Sequence, residues 1–140
     1  MKILIAVDGS PYTRRALAYL AAHDQWLGAH HSYTVIHVTA GLPHRAAAFK
    51  EADYVRALYE EDAQAVFRPI RAYFAMDGLR ARFVSRIGHP ARHIARLAQR
   101  GGFDLVIMGS HGHGATAGLV LGSVSTEVLA RCTTPVLVIR

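Results

Sequence analysis

The chain has 140 residues, of which 51% are hydrophobic and 19% are charged, a composition typical of an ordered globular protein. We expect a single domain spanning residues 1–140, because a chain of this length buries roughly two thirds of its unfolded surface. No apolar run reaches about 18 residues, which argues against a membrane span. The lone cysteine, Cys132, excludes an internal disulfide, and we expect a cytoplasmic protein.

The chain opens with a near-continuous apolar run at residues 2–7, which predicts a strand buried on both faces of a sheet. This run is too short for a signal peptide and meets Asp8 at once. Ser10 as N-cap and Pro11 at the first helical position then predict a helix that ends near Gly28.

Strands and helices alternate along the rest of the chain. A second strand at 32–38 precedes a long alanine-rich helix at about 46–76, which Pro69 should kink or divide and which Asp77-Gly78 ends. Strict alternation predicts a doubly wound α/β fold, a parallel sheet with helices on both faces. The remaining elements are predicted as a strand at 79–86, a helix after Gly88-His89-Pro90, a strand at 104–108, a helix at 123–132 and a fifth strand at 135–140.

The formal net charge of +6 raises the question of nucleic-acid binding. Arg92, Arg96 and Arg100 recur every four residues, which is typical of the solvent face of an amphipathic helix. Basic residues are thus spread over several elements without interleaved aromatic side chains, which argues against specific nucleic-acid binding. A second basic set lies on one face of the third strand, where charge discourages edge-to-edge association: Arg80, Arg82 and Arg86.

The glycine pattern after the fourth strand is the most informative feature for function. Gly109 and Gly112 follow that strand, and Gly122-Ser123 begins the last helix, giving the spacing G-x2-G-x9-G-S. A glycine-rich loop that leads into a helix N-terminus presents backbone N–H groups to a phosphate. The spacing matches neither the Walker pattern nor the dinucleotide pattern, and no lysine follows the last glycine. The alternative is a loop rich in glycine only because its turns need positive φ.

A second candidate segment for a ligand crevice is Asp8-Gly9-Ser10, after the first strand. In open parallel sheets ligands bind beyond the carboxyl ends of the strands, where the strand order reverses. If the first and fourth strands are neighbours, Asp8 and the glycine loop face one crevice. A carboxylate repels phosphate, so Asp8 should bind hydroxyl or amine groups, as a nucleoside carries them. The alternative is that Asp8 only caps the turn into the first helix.

The histidines suggest further functions, which the sequence does not favour. A metal site at His111 and His113 would need carboxylate or cysteine partners, and none lies at ligand spacing around them. Adenylylating enzymes of related architecture carry paired histidines after the first strand, where this chain has Asp8-Gly9-Ser10-Pro11. Efficient hydrolysis of a bound phosphate group needs a positioned general base, and neither loop histidine has an evident orienting carboxylate. We predict no metal ligands, no catalytic residues and at most slow hydrolysis.

Four features spread over nearly the whole chain carry a resemblance to a known family. They are Ile3-Leu4-Ile5-Ala6-Val7-Asp8-Gly9-Ser10, Gly88-His89-Pro90, residues 104–112, and Leu121-Gly122-Ser123-Val124-Ser125 with Pro135-Val136-Leu137-Val138. In this order they closely resemble the universal stress protein family. The glycine spacing is that family's ATP-binding signature, which only some members keep, so the resemblance is to the nucleotide-binding branch.

The resemblance implies a Rossmann-like parallel sheet of five strands in the order 3-2-1-4-5. It also implies a site for ATP, with Mg²⁺ or Mn²⁺ as candidate ions on the phosphates. The phosphates would lie on Gly112, Gly122 and Ser123, the ribose near Asp8 and Gly109, and the adenine against the backbone near Val38. The implied site residues are Asp8, Val38, Gly109, Gly112, Gly122, Ser123, Val124 and Ser125.

The loop between the second and third signature glycines departs from the pattern of many relatives. Residues 115–120 contain no lysine or arginine. A basic side-chain contact to the phosphates is therefore not expected from this loop. This difference predicts weaker ATP binding or a preference for shorter nucleotides.

In function, the resemblance implies a cytoplasmic stress-response or regulatory protein whose nucleotide state sets its partners or assembly. The sequence does not name the regulatory protein partner. Two alternatives stay open: an interaction protein of the same fold that works without nucleotide, and a slow ATPase.

The C-terminal strand predicts a homodimer. Residues 135–139 are apolar on both faces and would leave an open edge at one end of a 3-2-1-4-5 sheet. Two copies related by a twofold axis can pair these strands antiparallel and satisfy both edges. Dimers of this kind are also common in the family that the chain resembles.

Overall fold

The computed structural model describes residues 1–41, 51–114, 118 and 120–140. Its strands form one sheet in the order β3-β2-β1-β4-β5, and every neighbouring pair is parallel. The predicted α/β fold and strand order are therefore confirmed. The strands are β1 (Lys2–Ala6), β2 (Ser32–Thr39), β3 (Ala81–Ile87), β4 (Leu105–Gly109) and β5 (Val136–Ile139).

Helices cover both faces of this sheet, and each face has its own apolar core. Along β1, Ile3 and Ile5 pack on the side of the helices that begin at Pro11 and Ala52, whereas Leu4 and Ala6 pack on the side of those that begin at Pro90 and Ser123. Because successive side chains of a strand point to opposite faces, a strand buried on both sides needs a continuous apolar run. The helices are α1 (Pro11–Ala22), α2 (Asp24–Leu27), α3 (Ala52–Met76), α4 (Pro90–Arg100) and α5 (Ser123–Arg131).

The start of the first helix is confirmed, and its predicted end is wrong. Ser10 is the N-cap, with its side chain accepting from the Thr13 N–H, and Pro11 is the first helical residue. The helix ends at Ala22 and not near Gly28, because His23 leaves helical geometry with φ −128° and ψ 37°. A separate short helix, α2, then leads to Gly28.

Pro69 does not divide the long helix, contrary to one of the two expected outcomes. The helix α3 runs through it from Ala52 to Met76, and the first part of the predicted span, 46–50, lies outside the described residues. A proline inside a helix removes a hydrogen bond, at a cost of about 3 kcal/mol. Phe67, Ile70 and Phe74 are buried on both sides of the proline, so core packing holds the helix together there.

The end of α3 explains why β3 begins two residues later than predicted. Gly78 has φ +64°, and the Leu79 N–H donates to the Phe74 carbonyl over 2.8 Å. This is the hydrogen bond that closes a helix with a left-handed glycine. Leu79 thus belongs to the helix end, and the strand begins at Ala81. Within the described residues, no helix is long and apolar enough to cross a membrane.

Candidate functional site

A cavity lies at the carboxyl ends of β1 and β4, where the strand order reverses. These strands are neighbours, with Ala6 paired to Met108. The loop after β1 and the loop after β4 therefore meet there. The cavity measures about 410 Å³, within the range of small-molecule sites. Its position is the one that open parallel sheets use for ligands.

The predicted site residues all lie around this one cavity, although they come from four separate segments of the chain. They enter it from the ends of β1, β2 and β4 and from the start of α5. Their proximity is a property of the fold, and their role in binding stays a prediction. The predicted residues in its lining are Asp8, Val38, Gly109, Gly112, Gly122, Ser123, Val124 and Ser125.

The two carboxylate oxygens of Asp8 have different surroundings. Its Oδ1 accepts hydrogen bonds from the Ser10 N–H over 2.9 Å and from the Thr13 hydroxyl over 3.0 Å. Thr13 is buried, and its Oγ1 also accepts from the Asp8 N–H over 3.1 Å. Oδ2 faces the glycine loop, since a Cβ on Gly112 would lie 2.6 Å from it. Asp8 thus caps the turn with one oxygen and leaves the other toward the cavity, so the two interpretations do not exclude each other.

The signature glycines are required for space and not for backbone conformation. Positive φ occurs in this loop at Gly118, with φ +94°, whereas Gly109, Gly112 and Gly122 do not adopt it. The explanation of these three glycines by positive φ is therefore wrong. A Cβ on Gly109 would lie 2.5 Å from the Tyr12 Cβ, so this glycine lets α1 approach β4. A Cβ on Gly122 would lie 3.2 Å from the Ser110 carbonyl oxygen, which is tighter than ordinary contact.

The N-terminus of α5 points its free backbone groups toward this cavity. Gly122 is the N-cap and supplies no side-chain acceptor. The first N–H groups of a helix have no partner within the helix, and they carry the positive end of its dipole. In α5 these groups belong to Ser123, Val124 and Ser125, which line the cavity. The helix start is held in place, because the Gly122 N–H and the Ser125 hydroxyl both donate to the Ser110 carbonyl, over 2.7 and 2.8 Å.

Two histidines of the glycine loop also line the cavity. The Nε2 of His113 lies 2.7 Å from the Asp8 carbonyl oxygen, which ties the loop to the turn after β1. The Nδ1 of His111 pairs with the Ser110 hydroxyl over 3.0 Å. Its Nε2 is buried and has no hydrogen-bond partner among the described residues. Buried polar atoms usually have a partner, so this nitrogen has a hydrogen-bonding capacity that the described residues do not satisfy.

Apart from Val38, the residues of the apolar wall of the cavity were not predicted from the sequence, and neither was Thr13. The wall consists of side chains from strand ends and from α4, and it suits the face of a planar ring. Alternation along the strands was the available signal, but it does not tell which apolar residues line a cavity and which fill the core. For Thr13 the available signal was its position three residues after the N-cap Ser10, in the first turn of the helix beside Asp8. The wall includes Ile36, Val38, Pro90, Ile94 and Met108.

A further histidine, His37, does not line this cavity. His37 is buried on β2, where its Nδ1 pairs with the Val7 carbonyl over 2.9 Å and its Nε2 lies 3.5 Å from Asp62. Over the described ranges, no group of three or more His, Cys, Asp and Glu residues is arranged to hold a metal ion.

The doubly wound parallel sheet, with its cavity where the strand order reverses, is typical of a Rossmann-like α/β protein. The model of the universal stress protein family matches residues 1–140, and the chain belongs to this family. A universal stress protein of Thermus aquaticus, from the 3′ region of a QAH/OAS sulfhydrylase, is 34% identical. That match covers 99% of this chain and 97% of the relative.

Solved structures of this family share the fold. MJ0577 of Methanocaldococcus jannaschii superimposes with a TM-score of 0.78 at 26% identity, over 99% of this chain and 94% of the other. UspA of Lactobacillus plantarum does so with a TM-score of 0.81 at 20% identity, over 100% and 97%. Three further structures, at TM-scores of 0.70 to 0.71 and identities of 15 to 21%, are described as holding adenine nucleotides. They are a family protein of Arabidopsis thaliana with AMP, one of Archaeoglobus fulgidus with dAMP, and a universal stress protein with cAMP.

Proposed function

We propose that this chain is an adenine-nucleotide-binding universal stress protein of the cytoplasm, with ATP as the expected ligand. Its nucleotide state would set its partners or its assembly. The observation that supports this proposal most is the cavity itself. It combines the Oδ2 of Asp8, which faces Gly112, with the N-terminus of α5, which has no side-chain cap among the described residues. The nucleotide complexes of three proteins with the same fold also support it.

Each part of an adenine nucleotide has a chemically suitable counterpart in the cavity. The phosphates suit the backbone N–H groups from Ser123 to Ser125, beside the bare Gly112 and Gly122. The ribose hydroxyls suit Oδ2 of Asp8, which is an acceptor only. The adenine suits the apolar wall near Val38, with the backbone there able to bind the ring edge.

The charge of the lining predicts how the phosphates are bound. Among the described lining residues there is no lysine or arginine, and the only basic side chains are His111 and His113. Phosphate binding therefore depends on backbone amides and on the helix dipole. The dipole typically stabilises a nearby charge by 0.3–1 kcal/mol, and by roughly 2 kcal/mol at most. A divalent ion, Mg²⁺ or Mn²⁺, would neutralise the phosphates where the protein does not.

The experiment that tests this proposal is identification of the bound nucleotide. We expect purified protein to release an adenine nucleotide on denaturation, identified by its mass, or to bind added ATP in calorimetry with and without Mg²⁺. Phosphate release is measured in the same samples to detect slow hydrolysis. No released nucleotide, together with no binding of ATP, ADP or AMP up to millimolar concentration, would contradict the proposal and favour a nucleotide-independent interaction protein.

We also propose that two copies of the chain form a homodimer through β5. It lies at the edge of the sheet, next to β4 only. The Ile139 carbonyl accepts from the Ser110 N–H over 2.7 Å, so Ile139 faces β4. Its neighbour Val138 therefore presents its N–H and carbonyl to the open edge, because successive residues of a strand alternate in direction. An antiparallel partner strand would satisfy both groups.

The variant Val138→Pro is expected to convert a dimer into monomer or insoluble protein. Proline removes the N–H that faces the open edge and leaves the hydrogen bonds of Ile139 to β4 in place. Sedimentation at micromolar concentration measures the mass. Val138→Thr, which keeps the N–H and the branched side chain, is the matched control and should remain dimeric. A wild-type chain that sediments at its monomer mass of 15.3 kDa would contradict this assembly.

A further inference from the structure

A stripe of three arginines on α4 has no partner in the described part of the chain. Arg92, Arg96 and Arg100 are exposed, and no hydrogen bond or ion pair joins any of them to another described residue. Residues four apart on a helix are separated by about 6 Å along its axis. Like charges at this spacing repel each other, so the stripe is slightly destabilising by itself. An anionic partner would remove that cost.

The stripe borders a groove between α4 and α5, which is distinct from the cavity described above. The groove has a volume of about 610 Å³, and Arg131 of α5 lies on its other side. Ala95, which is small and buried, lines the groove between the arginines. The groove has a defined shape, because the Gln99 side chain donates to the Arg131 carbonyl over 3.2 Å and so connects the two helices.

The lining of the groove distinguishes between classes of anionic partner. Its described lining, Arg92, Ala95, Arg96, Gln99, Arg100 and Arg131, contains no aromatic side chain on which bases could stack. It also contains no large apolar side chain that could enter a membrane interface. Guanidinium groups bind carboxylates in a bidentate manner. Carboxylates at every fourth position of a helix have the same spacing of about 6 Å as the arginines.

We propose that the α4–α5 groove is a docking surface for an acidic helical segment of a protein partner. The carboxylates of that segment pair with Arg92, Arg96 and Arg100, and the segment lies along the groove that these arginines border. The contact is electrostatic and forms on the surface, so it weakens as salt screens it over a Debye length of about 8 Å at physiological ionic strength. This inference does not depend on nucleotide binding.

The test uses the full chain and a labelled alanine-rich peptide with glutamates at every fourth position. We expect saturable binding in fluorescence anisotropy, and Arg96→Glu should weaken it about fivefold, since it removes one surface ion pair and places a like charge opposite the glutamates of the peptide. Arg82→Glu is the matched control. Arg82 is an exposed arginine on β3, so this variant changes the net charge equally and should retain most of the affinity. Thermal unfolding verifies that both variants fold.

Further ligands distinguish the proposal from other polyanion binding. A peptide with the same number of glutamates, none of them four residues apart, should bind several-fold more weakly than the peptide with glutamates at every fourth position. Equal affinity for the two peptides, or equal losses in Arg96→Glu and Arg82→Glu, would overturn the proposal. Tighter binding of an oligonucleotide or of phosphatidylserine vesicles through Arg96 would also overturn it and assign the groove to that class of ligand.

Discussion

The variant Gly112→Ala is expected to bind ATP at least about tenfold more weakly than the wild-type chain, which corresponds to about 1.4 kcal/mol. A Cβ at this position would lie 2.6 Å from Oδ2 of Asp8, so the carboxylate has to move. The methyl group would also prevent close approach of a phosphate to the backbone amides, whose charge-assisted hydrogen bonds contribute about 1.5–3 kcal/mol each. Isothermal titration calorimetry measures the affinity, and circular dichroism verifies the fold.

The same loop offers a matched control for this variant. Gly114 also lines the cavity, but a Cβ there would meet no atom of the described residues within 4 Å, and its φ is not positive. Gly114→Ala changes the flexibility of the unfolded chain as Gly112→Ala does, and it should retain most of the ATP affinity. Gly122→Val should lose affinity like Gly112→Ala, because it crowds the Ser110 carbonyl and the start of α5. Equal affinities of Gly112→Ala and Gly114→Ala would remove the glycine loop from the binding site.

The variant Asp8→Asn should separate the two roles that the structure gives to this side chain. An asparagine can keep its carbonyl oxygen at the position of Oδ1, accepting from Ser10 and Thr13. The oxygen that faces the cavity then becomes an amide NH₂, which donates and cannot accept from ribose hydroxyls. We expect about tenfold weaker binding of ATP, with inorganic triphosphate bound as well as by the wild type or more tightly. Stability should change little.

A second substitution at the same position completes this test. Asp8→Ala removes both oxygens and should lose ATP affinity and also stability, by about 1–3 kcal/mol, because the Ser10 N–H and the Thr13 hydroxyl lose their acceptor. Denaturant unfolding measures that loss. If Asp8→Asn bound ATP like the wild type, Asp8 would be a turn cap only. If it weakened ATP and triphosphate equally, the carboxylate would position the loop and would not recognise the nucleoside.

Several features of this protein follow from the sequence by itself, because they depend on neighbouring residues. The apolar run at residues 2–7 predicts a strand buried on both sides, and Ser10-Pro11 predicts the helix start that the structure has. Alternation of such elements is sufficient for a parallel α/β fold. The glycine spacing, together with the resemblance that it carries, also marks residues that the fold brings to one cavity.

Other features depend on contacts between distant segments and could be seen only in the tertiary structure. Pro69 predicts a break by its local chemistry, yet the burial of Phe67, Ile70 and Phe74 keeps α3 continuous. The glycine spacing marks Gly109, but it does not explain why a glycine is needed at this position. Its reason is the close approach of Tyr12 from another element, and a motif does not specify such distances.

The sequence by itself determined the kind of fold and the positions around the site, since strand, helix and turn signals are local. Only the tertiary structure decided how each side chain is used. It turns one oxygen of Asp8 to the helix cap and the other toward Gly112, and it forms the apolar wall from residues of β2, β4 and α4. It also places Arg131 across a groove from the arginines of α4. These arrangements depend on packing, in which segments far apart in the chain set each other's distances and directions.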